Sequence, residues 1–245
     1  MRQFLLFRLY GPMAAWGEVA VGETRPSSSH PSKSAVLGLV AAALGIKREQ
    51  EAELQSLANG NSFGVRVDAV GELLRDYHTA QVPPERRKIK YYTRRDEINS
   101  DGLYTILSSR DYRTDGCYSI ALWQTSSDQI SLENILNALL QPKLPLYLGR
   151  KSCPLSLPLC PEIFESHTLK QAFDQYLIAG DSLIHSIINL NSDKNYYWEH
   201  LDNEQAGMVS TIKYSRRDQL RNRQRWQFNE REEFYFSEQC KEVSA

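Results

Sequence analysis

The sequence predicts an α+β fold built from two strand–helix–strand units that are separated by a long insertion. Three observations favour this fold class. Short runs of bulky apolar residues alternate with helical segments that carry recognisable caps. The chain has 245 residues, which is enough for one or two hydrophobic cores. Its 41% hydrophobic and 24% charged residues are typical of a soluble globular protein.

The first unit lies at the N-terminal end. Its expected elements, in order, are a buried strand over 2–10, a helix over 31–46, a second helix over 49–58 and an alternating strand over 62–70. Ser32 or Ser34 can cap the first helix, because their hydroxyls accept from the free N–H groups of a helix start. Gly45 supplies the stop, and the small apolar residues between indicate close packing on a sheet.

The second unit follows the insertion. A strand is expected over 117–125, a helix over 131–142 and a last strand within 145–158. The order of strands and helices is that of the split arrangement in a ferredoxin-like domain, a scaffold that RNA-recognition (RRM-like) modules also use.

The insertion, at about 71–116, is too long for a compact loop. Two strand-like pieces, 72–80 and 102–113, are expected to pair as an extended hairpin. The predicted organisation is therefore a domain of residues 1–160, which contains the insertion, and a smaller, loop-rich C-terminal region of residues 161–245 with a final strand at EEFYFSE.

The sequence lacks the motifs that are typical of several function classes. The four cysteines form no CxxC pair, and neither HExxH, Walker A, Rossmann glycine nor GxSxG patterns occur, so no metal or cofactor is expected. The longest apolar run, 35–46, is too short to span a bilayer. The N-terminus lacks a secretory cleavage pattern, which predicts a cytoplasmic protein without membrane contact.

Charge is divided unevenly along the chain. Residues 86–95 hold six basic and no acidic side chains, and 213–225 hold six basic side chains against Asp218. The rest of the chain carries an excess of 12 negative charges, although the total is only −1. Such asymmetry favours one surface for a polyanion, with tyrosines such as Tyr91 and Tyr92 available to stack on bases. A protein interface or a solvated face remains an alternative from composition alone.

Five colinear blocks then resemble a known family: LFRLYGPMAAWG (6–17), TRPSSSHPSKSAVLGLVAAALGI (24–46), LRDYHTA (74–80), YLGRKSCPLSLPL (147–159) and SRRDQLRNRQRWQF (215–228). The chain resembles the CasD subunits of type I-E CRISPR Cascade, which are Cas-five proteins of the RAMP superfamily. The resemblance implies a ferredoxin-like RAMP palm with a long β-hairpin thumb. It implies a subunit that binds and caps the 5′ handle of the crRNA, against the backbone subunit CasC and the large subunit CasA, with target DNA nearby.

The expected RNA-binding residues combine this resemblance with the basic segments; they are Arg25, His30, Lys33, Arg75, Tyr77, His78, Arg86, Arg87, Lys88, Lys90, Arg94, Arg95, Arg150 and Lys151. Arg25, His30 and Lys33 precede a helix start, which favours a phosphate. Contact with target DNA or a neighbouring subunit is the hypothesis for the C-terminal cluster, namely Arg216, Arg217, Arg221, Arg223 and Arg225.

Two alternatives are kept. Relatives in type I-C systems cut repeat RNA without metal, and Tyr77 with His78 would be the catalytic pair of such an endoribonuclease. Adjacent strand positions point to opposite faces, however, which opposes a shared phosphate. The second alternative is a subunit that only assembles with proteins and contacts no RNA.

Overall fold

The computed structural model describes residues 1–85, 89–125, 130–176 and 193–238. The strands are β1 Arg2–Tyr10, β2 Met13–Ala14, β3 Thr24–Arg25, β4 Asn61–Ala69, β5 Glu72–Val82, β6 Tyr104–Thr114, β7 Cys117–Gln124, β8 Glu162–Ser166, β9 Lys194–Trp198, β10 Ile212–Asn222 and β11 Gln227–Glu238. The helices are α1 Lys33–Leu44, α2 Glu51–Gly60, α3 Arg94–Ile98, α4 Leu132–Leu140, α5 Leu169–Gln175 and α6 Asn203–Ala206.

An antiparallel seven-stranded sheet, in the order β10-β11-β9-β4-β7-β1-β8, forms the centre of this structure of mixed helices and strands. The predicted strands at 2–10, 62–70 and 117–125 are confirmed as β1, β4 and β7, and they lie next to one another. Leu122 of β7 stands between Leu5 of β1 and Phe63 of β4 in the register.

The two faces of the sheet carry separate cores, because successive side chains of a strand point to opposite sides. On one face, Leu5, Phe7 and Leu9 of β1 are buried beneath α1, α2 and α4. On the other face, Phe4 and Leu6 pack against α5 and α6. Each such apolar side chain contributes about 1.5–3 kcal/mol of stability on burial. Because β1 places side chains in both cores, it connects the two layers.

The first helix forms as its sequence predicts. The Ser32 hydroxyl accepts from the N–H of Ala35 at 3.2 Å, and Gly45 ends the helix in the left-handed region with φ 79°. Only glycine adopts that conformation without a steric penalty on Cβ. The helix expected over 49–58 is also confirmed, as α2 at Glu51–Gly60.

The last strand expected within 145–158 is wrong. Only an isolated bridge between Tyr147 and Pro154 forms there, and β8 at 162–166 takes the place beside β1 instead. Prolines in this segment lack the N–H that a strand ladder needs. The segment turns at Gly149, whose φ of 84° is left-handed, and a Cβ there would lie 1.9 Å from the carbonyl oxygen of Ala15.

The expected hairpin within the insertion is confirmed. β5 and β6 pair without a register shift from Glu72↔Thr114 to Val82↔Tyr104. Eleven residues per strand at about 3.4 Å each give a hairpin about 35 Å long. The short strands β2 and β3 pair with β6 and brace the hairpin at its base.

The C-terminal region is not loop-rich where the structure describes it. β10 and β11 form a long hairpin, and β9 joins it to β4, so the division at residue 160 does not coincide with a break in the sheet. The alternating pattern was hidden because charged residues occupy inward positions of these strands. Asp218, Arg231 and Glu233 are all less than 10% exposed.

Within the described ranges, none of the helices combines the length and the apolar character that a membrane crossing requires.

Candidate nucleic-acid interface

The hairpin of β5 and β6 places Arg75 opposite Asp111. Its Nε and Nη2 donate to the two carboxylate oxygens at 2.8 and 3.0 Å, in a bidentate pair. This hydrogen bond, helped by charge, lowers the pKa of Asp111 and raises that of Arg75. The Arg75 side chain is 60% exposed, so it still faces solvent, but its charge is shared with a carboxylate.

Tyr77 and His78 occupy consecutive positions of a regular strand, opposite Ser109 and Ser108. They therefore lie on opposite faces of the hairpin. Tyr77 is 61% exposed, and His78 contacts the carboxylate of Asp76 on its own face.

The basic cluster at the far end of the hairpin is only partly described. Arg86, Arg87 and Lys88 lie outside the described residues. The ammonium of Lys90 lies 5.3 Å from the ring centroid of Tyr92, and Arg95 is exposed.

Arg94 has a structural role at this end. It pairs with Glu97 at 2.7 Å and donates to the carbonyl of Gln81, which ties α3 back to β5. Lys90 and Arg95 are therefore the described cations of the cluster whose side chains form no ion pair.

The expectation that His30 and Lys33 contact RNA is at odds with the structure. Both residues are buried, at 6% and 2% exposure. Lys33 Nζ lies 2.6 Å from Glu199 Oε1, and the Lys33 N–H donates to Asp218 Oδ2 at 2.8 Å. The sequence predicted an RNA phosphate at this helix start; in the structure, the carboxylate of the chain's own Asp218 accepts the N–H there instead.

His30 belongs to the same buried group of charges. Its ring stacks on Tyr197 with centroids 3.7 Å apart, and its Nε2 lies 3.0 Å from Glu233 Oε2. Arg216 completes the contact, 3.3 Å from the same carboxylate. Arg216 is thus mostly withdrawn from the surface, which corrects its assignment to an external partner.

Opposing effects set the pKa values in this group. Burial lowers the pKa of His30, which keeps the ring neutral, and burial also lowers that of Lys33 despite Glu199. Burial alone would raise the pKa of Glu233, but the hydrogen bond from His30 and the charges of Arg216 and Arg231 lower it to about 2. We call this group the buried charge network; its members are His30, Lys33, Glu199, Arg216, Asp218, Arg231 and Glu233.

A second surface lies where α1, residues 145–150 and the turn between β10 and β11 meet. It is an open cleft of about 320 Å³, which we call the basic cleft. Three arginines line it, Arg48, Arg150 and Arg223, with Tyr147, Trp226 and Phe228 among the aromatic walls. The lining of the cleft contains no aspartate or glutamate among the described residues.

The guanidinium groups of these arginines lie close to aromatic rings. The guanidinium of Arg223 lies 4.0 Å and that of Arg48 5.2 Å from the ring centroid of Trp226. Arg150 lies 5.0 Å from the ring of Tyr112, on β6 at the base of the hairpin. Burial, and then the charge of Arg48, lower the pKa of Arg223. Because Arg150 lines the basic cleft and lies against Tyr112 of β6, it connects the cleft to the hairpin.

The structure brings together Arg150 and Arg223, which the sequence had assigned to different partners. It adds Arg48 and Trp226, which sequence reasoning missed because Arg48 lies outside the two basic segments and Trp226 carries no charge. Other expected cations that the structure describes as exposed, among them Arg25, Arg75 and Arg95, do not line the cleft. Arg25 lies on β3 beside Arg110 of the hairpin base.

Four further cations complete the expected set. Lys151, Arg221 and Arg225 are exposed, and Arg217 donates to the carbonyl of Phe228 at 3.2 Å. In the described part of the chain, no three metal-ligating side chains stand close enough to hold an ion.

Comparisons with known proteins give one consistent result. The family model described as CRISPR-associated protein (Cas_Cas5) matches residues 4–233. The CRISPR system Cascade subunit CasD of Escherichia coli strain K12 is 38% identical over 163 residues, which is 65% of this chain and 70% of that protein.

Two solved structures are similar over nearly the whole chain. One, titled CRISPR RNA-guided surveillance complex, superposes with a TM-score of 0.63 at 23% identity and covers 96% of this chain and 89% of that chain. A second, titled as a Cas protein, gives a TM-score of 0.60 at 26% identity and covers 97% and 94%.

Proposed function

This chain belongs to the Cas5 family of CRISPR-associated proteins, and from that premise we propose that it is the subunit of a Cascade complex that binds and caps the 5′ handle of the crRNA. The proposed partners are the crRNA, a CasC-type backbone subunit and a CasA-type large subunit, with target DNA nearby. The relative that carries the name CasD supports the assignment to a type I-E complex.

We further propose that β1, β4, β7 and β8 form a ferredoxin-like RAMP palm. The strand order β8-β1-β7-β4 supports this, because it places the first and third strands at the centre, as in the split strand–helix–strand arrangement. α1 and α4 both pack on one face of these strands. The hairpin of β5 and β6 would then be the thumb.

The observation that carries the proposal is the exposure of both faces of this hairpin. Leu73 and Tyr77 on one face are 51% and 61% exposed, and Tyr104 and Ile106 on the other are 56% and 43% exposed. A two-stranded hairpin is marginally stable by itself, and contiguous apolar surface of this kind marks a binding site. Partners that cover both faces would therefore complete the fold.

Single-stranded RNA suits this surface. Its unstacked bases pack on tyrosine rings, and its phosphates bind exposed lysine and arginine. Tyr77 and Tyr104 supply rings, while Lys90 and Arg95 supply cations at the far end of the hairpin. A groove-reading helix, which duplex recognition uses, is not what this hairpin presents.

The binding role is favoured over catalysis. Tyr77 and His78 point away from each other, so they do not converge on one phosphate. His78 contacts Asp76, which lies two positions away on the same face.

The test replaces Lys90 and Arg95 by glutamine and measures retention of the crRNA in the reconstituted complex at several salt concentrations. Each lost phosphate contact lowers the log–log salt slope by about 0.7 for a single strand, so we expect a decrease of about 1.4. The matched control replaces Lys170 of α5 and Lys213 of β10 in the same way, which removes the same amount of positive charge elsewhere in the chain. Equal slopes in both variants would contradict the thumb assignment.

A cleavage assay addresses the alternative. The chain is incubated with its own repeat RNA without metal. Cleavage that disappears in His78→Ala would replace the binding role by an endoribonuclease activity.

A further inference from the structure

A cleft of opposite character opens where β9 ends. β9 pairs with β4 only as far as Gly64 and with β11 only as far as Phe234, so within the described residues no strand fills the space between β4 and β11 beyond Trp198. The opening has a volume of about 640 Å³ and lies between the end of α2, residues 200–202 and the strands β10 and β11. We call it the acidic cleft. It shares no lining residue with the basic cleft.

Three exposed carboxylates give the acidic cleft its charge, namely those of Asp202, Glu230 and Glu232. Glu230 accepts a hydrogen bond from Ser215 Oγ at 3.0 Å, which leaves its charge uncompensated. Glu232 lies 3.5 Å from the ammonium of Lys213, in a pair whose side chains are 71% and 60% exposed. Such an exposed pair is weak and is easily exchanged for another partner.

The cations that line the cleft are already neutralised. Lys33 and Arg231 belong to the buried charge network and are 2% and 8% exposed. Lys33 pairs with Glu199 at 2.6 Å, and Arg231 pairs with Asp218 at 2.6 Å. An incoming molecule therefore meets net negative charge, which repels a phosphate backbone and attracts a cation.

Two polar atoms of the lining side chains have no hydrogen-bond partner among the described residues. They are Arg231 Nη1, a donor, and Gln219 Oε1, an acceptor, and both atoms are buried. Buried polar atoms are nearly always paired in folded proteins. A molecule that satisfies both must offer an acceptor and a donor. Every peptide group of a polypeptide offers both, whereas a carboxylate only accepts and an ammonium group only donates.

An apolar shoulder continues the surface on one side. A shallower cleft of about 360 Å³ shares Asp202 and Phe234 with the acidic cleft and is lined also by Ile212. Ile212 is 45% exposed, and Val209, three positions earlier, is 68% exposed. Protein interfaces combine apolar contact area with polar groups at their rim. The whole surface therefore suits a protein better than a small ion.

We propose that the acidic cleft docks a segment of another protein that carries a lysine or arginine side chain. This side chain lies against Glu230 and Glu232, and main-chain groups of the segment bind Arg231 Nη1 and Gln219 Oε1. Apolar side chains of the partner cover Ile212. The chemistry of the partner follows from the cleft. Only its identity as a neighbouring subunit of a Cascade complex rests on the proposed function.

A short basic peptide tests the chemistry on the full chain alone. The probe is a blocked peptide of alternating glycine and arginine, and its control has glutamate in place of arginine. In NMR spectra of the labelled protein, the arginine peptide at millimolar concentration should shift the side-chain signals of Gln219 and Arg231, and the glutamate peptide should not. Glu230→Gln with Glu232→Gln should weaken peptide binding about tenfold or more, because charge-assisted hydrogen bonds are lost.

A matched pair of variants controls for general attraction. Glu133→Gln with Glu165→Gln removes the same charge from α4 and from β8, the strand at the opposite edge of the sheet. Both side chains are exposed and neither lines the acidic cleft, so we expect a loss of less than about threefold. Glu230→Lys should weaken binding more than Glu230→Gln, because it adds repulsion to the loss of attraction.

The same variants are then measured for affinity to a CasC-type backbone subunit and to a CasA-type large subunit. A tenfold loss toward one of them, with the control pair unchanged, supports that subunit as the partner. No shift by the arginine peptide, equal shifts by the two peptides, equal losses in the two pairs of variants, or the same shifts caused by a handle RNA oligonucleotide would overturn the proposal. Failure of the proposed function is recognised separately, because a chain that binds no handle RNA still binds the arginine peptide if the acidic cleft acts as described.

Discussion

The buried charge network should make the fold strongly dependent on Asp218. This carboxylate is 4% exposed and accepts from Arg231 Nε at 2.6 Å, from Arg231 Nη2 at 2.9 Å and from the Lys33 N–H at 2.8 Å. Asp218→Asn keeps the shape of the side chain but removes the charge and turns an acceptor into a donor that faces a guanidinium. One cation of the network is then left buried without compensation.

The expected magnitude follows from the cost of breaking a buried ion pair, about 3–5 kcal/mol. The total free energy of unfolding of a protein is about 5–15 kcal/mol, so this single change removes a large part of it. At about 2–4 °C per kcal/mol for a chain of this size, the melting temperature should fall by about 6–20 °C. Urea unfolding followed by circular dichroism measures the same loss at constant temperature.

A double-mutant cycle tests whether charge balance is the reason. Lys33, Arg216 and Arg231 face Asp218, Glu199 and Glu233, so the network is neutral with His30 uncharged. Asp218→Asn with Arg231→Met restores neutrality, and its cost should be at least 1 kcal/mol less than the sum of the two single changes.

The control is Glu232→Gln. Its partner Lys213 lies 3.5 Å away and the carboxylate is 71% exposed, so the change should cost less than about 0.5 kcal/mol. The reasoning is refuted if Asp218→Asn costs no more than this control, or if the cycle is additive.

Two further predictions concern pH and the turn at Gly149. Because the folded state lowers the pKa of His30, stability should begin to fall as pH drops below the unfolded value of 6.5, and Glu233 should add a loss between pH 4.5 and about 2. Thermal melts from pH 7 to pH 3 measure this, and Glu233→Gln, though less stable at neutral pH, should show a flatter decline below pH 4.5; an unchanged slope would contradict it. Gly149→Ala should destabilise by about 1–3 kcal/mol, because its φ is 84° and its Cβ would lie 1.9 Å from the Ala15 carbonyl; Gly17→Ala, with nothing within 4 Å, is the control.

The hairpin shows how far local pattern reaches. Residues 72–80 and 102–113 are rich in strand formers, and antiparallel pairing needs only that they fold back on each other, so the sequence predicted the pairing correctly. The exposure of Leu73 and Tyr104 depends on the tertiary structure. The strand pattern does not indicate whether another layer of the protein covers either face of the hairpin.

The sequence by itself determined the caps of α1, the strands β1, β4 and β7 and the separation of basic from acidic segments, because propensity and periodicity act over a few residues. Tertiary structure decided which cations are free. Lys33 meets Asp218 across 185 positions and His30 meets Glu233 across 203, so no local pattern reports that both are neutralised inside. The same long-range folding brings Arg48, Arg150 and Arg223 to one cleft, because charge placed far apart along a chain becomes a site only when the fold brings it together.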